Sequence, residues 1–95
     1  MTGRPEVRES SVPSLPRGVK LRFDKARDVW VLLAPERVFM PDNIAVEILK
    51  RCDGKATFAE IVDDLAQTFS ASRDQVATDV AVMLQDLADK GMVAL

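Results

Sequence analysis

The sequence predicts an α+β domain in which three antiparallel strands precede three helices. Apolar residues alternate with polar ones through residues 19–23, and short apolar runs follow at 29–33 and 37–40. From residue 42 onward the apolar period changes to 3.6, in three stretches that each open on a capping residue. The chain has 95 residues, 47% of them apolar, which suits one domain with one modest core.

The strands come first. Val19, Leu21 and Phe23 alternate with Lys20, Arg22 and Asp24, the pattern of a half-buried strand. Lys25 to Asp28 is a polar turn, and Val29 to Leu33 forms the second strand of an antiparallel hairpin. Its apolar residues lie on both faces, Val29, Val31 and Leu33 on one and Trp30 and Leu32 on the other. One set must cover the helices. The other is expected to face the tail, a second copy or a partner protein, and tryptophan is over-represented at interface hot spots. Ala34-Pro35-Glu36 turns the chain again, and Arg37 to Met40 reads as a short third strand ended by Pro41.

Asp42 is the expected N-cap of the first helix, and Gly54 lies just past its end. Ile44, Ala45, Ile48, Leu49 and Cys52 share its inner face, which leaves Val46 on the polar side. Thr57 and Glu60 form a capping box for the second helix, with Phe58, Ile61, Val62, Leu65 and Phe69 as its stripe. Ser72 and Gln75 form a second box. The third helix then carries Val76, Val80, Met83, Leu84 and Leu87 inward, has Val82 on its polar side and stops at Gly91. Met92 to Leu95 is expected to return as an extended segment. The last two helices, joined through Ser70-Ala71, suggest a helix-turn-helix pair and a winged-helix-like architecture.

Residues 1–17 hold Pro5, Pro13 and Pro16 with few large apolar groups, so they are expected to be a flexible tail or linker, leaving 18–95 as the folded domain. The charge is split, with a net of +3 over residues 1–37 and −5 over 38–95. Cys52 is the only cysteine and histidine is absent. No Ser-His or Cys-His pair can form, and zinc sites built on His and Cys are unavailable. Cys52 falls on an inner stripe, and the adjacent Asp63 and Asp64 diverge by about 100° around their helix. The reading is therefore no enzyme and no cofactor. No run has the layout of a signal peptide or the roughly 18 apolar residues of a membrane span, so a cytoplasmic location is expected.

The third strand, at the sheet edge if strand order follows the chain, is the predicted binding element. Its backbone groups can pair with an extended visitor. Ala77, Ala81 and Ala88 flank the core stripe of the third helix and are expected to leave a groove beside that edge, although the same alanines would also permit close helix packing. On this reading Arg37, Val38, Phe39 and Met40 face Ala77, Val80, Ala81 and Leu84 across a bound peptide, and Ala81→Trp would block it. The alternative is a winged-helix regulator binding DNA or another protein. Helix three sets Asp74, Asp79, Asp86 and Asp89 against Arg73 and Lys90, a balance that repels phosphates. A carrier or small enzymatic subunit would need an Asp-Ser attachment dipeptide or a catalytic cluster, and the sequence has neither.

Several segments resemble the PqqD family of pyrroloquinoline quinone biosynthesis. They are Leu15-Pro16-Arg17-Gly18-Val19-Lys20-Leu21-Arg22-Phe23-Asp24, the run Trp30 to Phe39, Ala45-Val46-Glu47-Ile48-Leu49, Cys52-Asp53-Gly54, Thr57, Glu60-Ile61-Val62 and Asp79-Val80. The resemblance spans about residues 15–95 and rests most on Trp-Val-Leu-Leu-Ala-Pro-Glu-Arg. It implies a RiPP recognition element, a peptide chaperone that binds the ribosomal precursor PqqA as an added strand and presents it to the radical S-adenosylmethionine enzyme PqqE. It also implies that the module is fused to PqqC in some organisms, which would make residues 1–17 a trimmed linker. Exposure and charge then suggest Arg22, Lys25, Arg27, Trp30 and Leu32 as the surface toward PqqE. Either a monomer or a dimer fits.

Overall fold

The computed structural model describes residues 6–95. Its elements follow the predicted order: β1 (Lys20–Asp24), β2 (Val29–Ala34), β3 (Arg37–Phe39), α1 (Asn43–Lys50), α2 (Phe58–Thr68) and α3 (Arg73–Asp89). The sheet is antiparallel in the order β1-β2-β3. The β2–β3 turn needs only Pro35 and Glu36, because Ala34 already pairs with Arg37. Proline presets one φ, and Glu36 accepts a left-handed φ of 61°.

The register assigns the faces. Leu21 lies opposite Leu32, Phe23 opposite Trp30 and Leu32 opposite Phe39, so these side chains share the helix-facing side. Leu32 is fully enclosed in the core. Val29, Val31, Leu33 and Val38 therefore form the outer stripe, beside Lys20, Arg22 and Asp24. Of the two apolar sets on β2, the Trp30–Leu32 set covers the helices.

The helix starts obey their caps. Asp42 accepts from the Ala45 N–H at 2.8 Å, and Thr57 with Glu60 closes a reciprocal box. The second box is only half made. Ser72 accepts from Gln75 N–H, but the Gln75 side chain donates to Asp79 at 3.1 Å instead of reaching back. Three face assignments are also corrected. Val46 is buried and Ile44 exposed on α1, and Phe69 projects outward from the end of α2. The covered arc of α1 is Ala45, Val46, Ile48 and Leu49. Ser70 takes a φ of 51° and turns the chain away at Phe69.

Residues 6–17 are built into the fold, contrary to the expected tail; residues 1–5 lie outside the described residues. Ser14 and Ala94 exchange backbone hydrogen bonds at 2.9 and 2.8 Å, and Gly54 N–H donates to the Pro13 carbonyl at 3.0 Å. Ser11 and Glu9 carbonyls accept from Phe58 and Ala59 N–H, the first free donors of α2. Pro13 is buried, and Val7 and Leu15 pack on the core. The side-chain composition understated this segment because its anchors are largely backbone groups. The extended C-terminus pairs with it, and Met92 and Val93 are buried.

Candidate functional site: the edge of β3

Among the described residues β3 pairs only with β2. Ala34 and Arg37 close a two-residue hairpin, so they form a hydrogen-bonded pair, as do Leu32 and Phe39 two steps on. The alternation of the ladder then turns the N–H and C=O of Val38 toward the open side. Its side chain is 63% exposed on the outer face.

Beside this edge lies a hollow of about 430 Å³. Phe39 and Met40 wall it from the sheet, Ile44 and Ile48 from α1, and Met83 and Leu87 from α3, with Asp42, Asp79 and Asp86 around them. The upper corner is clamped. The Arg37 guanidinium donates to the Lys90 carbonyl at 2.7 Å, Lys90 pairs with Asp86 at 2.9 Å, and its ammonium sits 5.9 Å from the Phe39 ring centre. The site thus offers a backbone margin, an apolar floor and a partly neutralised acidic surround. That arrangement can hold an extended chain bearing an apolar side chain.

The side chains predicted to line it divide. Arg37, Phe39 and Met40 flank the hollow and Val38 the open edge. Val80 and Leu84 are buried inside the core. Ala77 and Ala81 lie on the other flank of α3, and Ala81 borders a separate hollow with Glu6 and Val7. At about 100° per residue, Ala81 stands roughly 160° around the helix from Asp79. Ala81→Trp is therefore not a block on this groove. The helix flank that meets β3 is Asp79, Met83, Asp86 and Lys90, a spacing of four, three and four that polar residues hid from a search for small ones.

The residues predicted to face a partner enzyme also separate. Arg22, Lys25 and Arg27 are exposed on and after β1. Trp30 is half-buried with Lys50 above its ring, 4.8 Å from the centre, and Leu32 is core. Leu32 is thus removed from that surface, because its strand face is the one the helices cover.

Burial pushes the Cys52 thiol up to about 12, with a smaller contribution from the Asp53 charge, and the thiol contacts the Ile48 carbonyl at 3.3 Å. It is held as a neutral group. Among the described residues no three His, Cys, Asp or Glu side chains converge to hold a metal. No helix among them is long and apolar enough to cross a membrane.

Comparison with known proteins yields consistent relatives. The chain is 58% identical over 87 residues to the PqqA binding protein of Rhodopseudomonas palustris (strain BisB5), covering 92% of this chain and 85% of that protein. It is 49% identical over 81 residues to the bifunctional coenzyme PQQ synthesis protein C/D of Methylorubrum extorquens, matching 85% of this chain but 22% of that longer protein. Among solved structures it matches the solution NMR structure of the PqqD truncation of Methylobacterium extorquens PqqCD, a functional and stand-alone RiPP recognition element. The TM-score is 0.80 at 45% identity, covering 94% of this chain and 95% of the other. The family described as Coenzyme PQQ synthesis protein D (PqqD) matches residues 29–93, a span that runs from the first residue of β2 through α3 to the buried Val93. The three strands, the three helices and these matches agree: the chain belongs to the PqqD family.

Proposed function

We propose that this protein is a non-catalytic peptide chaperone that binds the ribosomal precursor PqqA along the β3 edge. The bound chain would pair with the outward N–H and C=O of Val38 and set an apolar side chain between Phe39, Met83 and Leu87. The unpaired margin of β3 beside that hollow is the observation that carries the reading. Its similarity to proteins named for PqqA binding and to a RiPP recognition element supports the same ligand. Presentation to PqqE follows from the family resemblance, and exposed Arg22, Lys25 and Arg27 suit a contact with that larger partner. The relative in which a matching segment is joined to a synthesis protein C region supports a neighbouring role with PqqC.

The DNA-binding reading weakens further in three dimensions. Arg73 is committed to Asp63 and Glu9, and Lys90 to Asp86, so the basic groups of α3 and its C-cap are already paired. Isothermal titration of the full chain with synthetic PqqA tests the proposal. Saturable one-to-one binding is expected, and no heat or shift at high micromolar peptide would refute it.

A further inference from the structure

Ile44 walls two hollows. On its far side from β3 lies a second concavity of about 230 Å³, bounded by Trp30, Asn43, Ile44, Val46, Glu47 and Phe69. Ile44 is 70% exposed and Phe69 55%. Neither position is accidental in the fold. Ile44 is the second residue of α1, two past the Asp42 cap, and Phe69 stands where Ser70 turns the chain out of α2. Covering such side chains removes apolar surface from water and favours a bound partner.

The walls indicate what fits. The space is smaller than the roughly 300 Å³ at which small-molecule sites begin, so it suits one side chain. Trp30 and Phe69 present aromatic surface. The charges nearby are settled among themselves: Glu47 accepts from Arg51 at 3.0 Å and pairs with Lys50 at 3.3 Å, and Lys50 caps the Trp30 ring. A charged visitor would find no partner to offset its lost hydration, whereas an apolar ring would.

The topology indicates whose side chain it is. The β2–β3 register ends at Leu32 and Phe39, so residues 29–31 of β2 have no strand beside them on that side. An added strand that continues past Phe39 passes Met40, meets Ile44 and reaches the level of Trp30 within a few residues, at about 3.3 Å each. The geometry points to a second subsite for the same peptide: the Trp30–Ile44–Phe69 hollow receives an aromatic or large aliphatic side chain of the chain that pairs with β3. This deepens the reading of β3 as the peptide edge and rests on it.

Trp30 is the only tryptophan, so 5-fluorotryptophan in the full chain places one ¹⁹F reporter in the second hollow. Methyl-labelled Met40 and Met83 report on the first. Adding synthetic PqqA is expected to shift all three. Phe69→Ser, or Ile44→Ala as a second variant, is expected to weaken binding about 5- to 20-fold. Phe69→Ser should also cancel the ¹⁹F shift while Met40 and Met83 still respond at saturation. Methyl shifts with an unmoved ¹⁹F line would overturn the second subsite and leave the β3 reading intact. If neither hollow responds, the β3 reading itself fails. A ¹⁹F shift that follows protein concentration without peptide would assign the hollow to a second copy and overturn the proposal.

Discussion

Arg37 and Lys90, 53 residues apart, are joined by a hydrogen bond of 2.7 Å from the guanidinium to the main-chain carbonyl. Lys90 is the C-cap of α3, so the bond satisfies a terminal carbonyl where the helix dipole is negative. It also ties the edge strand to the helix across the mouth of the hollow. Arg37→Ala is expected to cost about 0.3–1 kcal/mol of stability, the usual value of a cation at an exposed helix end. Peptide affinity should fall further than that loss, since the two walls are no longer held at fixed spacing. Urea unfolding and calorimetric titration of the same variant separate the two effects.

Val38 allows the backbone and the side chain to be tested apart. Its N–H faces the open side, so Val38→Pro removes the donor without breaking the ladder to β2. The variant should remain folded by circular dichroism and lose PqqA affinity by about tenfold, the worth of one unmade hydrogen bond near 1–1.5 kcal/mol. Val38→Ala keeps the donor and should change affinity little. Equal losses in the two would place the contact in the side chain instead.

The N-terminal segment contributes to the fold. Deleting residues 1–14 removes the Ser14–Ala94 exchange, the Pro13 contact to Gly54 and the two carbonyls that serve Phe58 and Ala59. At about 0.5–1.5 kcal/mol per hydrogen bond, less the entropy of ordering the segment, the expected loss is about 2–4 kcal/mol. Denaturant midpoints of the full and shortened chains measure it. A shift under 0.5 kcal/mol would show the segment to be an appendage.

Cys52 predicts an alkaline effect with a defined sign. Its folded pKa is raised from 9.0 to about 12 by burial. A raised folded pKa contributes stability that is complete below the unfolded value and is lost as pH rises. Stability should therefore fall between about pH 9 and 12, by up to about 1.4 kcal/mol per pH unit from this group. Cys52→Ala should flatten that part of the profile. Native thiol should also resist iodoacetamide at pH 8 and react only on unfolding.

The element order and the caps at Asp42 and Thr57 were legible in the chain, because each depends on local pattern; the edge position of β3 followed once the sheet kept the chain order β1-β2-β3. Period two, period 3.6, a proline-bearing turn and a Thr-x-x-Glu box act within a few residues of themselves. That Arg37 to Met40 form a short strand and its exit was legible for the same reason; the structure sets a hollow beside Phe39 and Met40.

The helix half of the site was not legible. Which flank of α3 meets β3 depends on how the helix rotates against the sheet. The amphipathic stripe defines a core direction but treats its two shoulders alike, so the small Ala77 and Ala81 drew attention from Asp79 and Met83. Residues 6–17 were misjudged because their anchors are main-chain groups, which composition does not count. Likewise, β2 was apolar on both faces, and only packing decided that Trp30 and Leu32 turn toward the helices. Sequence by itself determined the elements and their order, since local sterics and periodic burial specify them. Tertiary structure alone decided which surfaces meet, because that choice minimises exposed apolar area over contacts far apart in the chain.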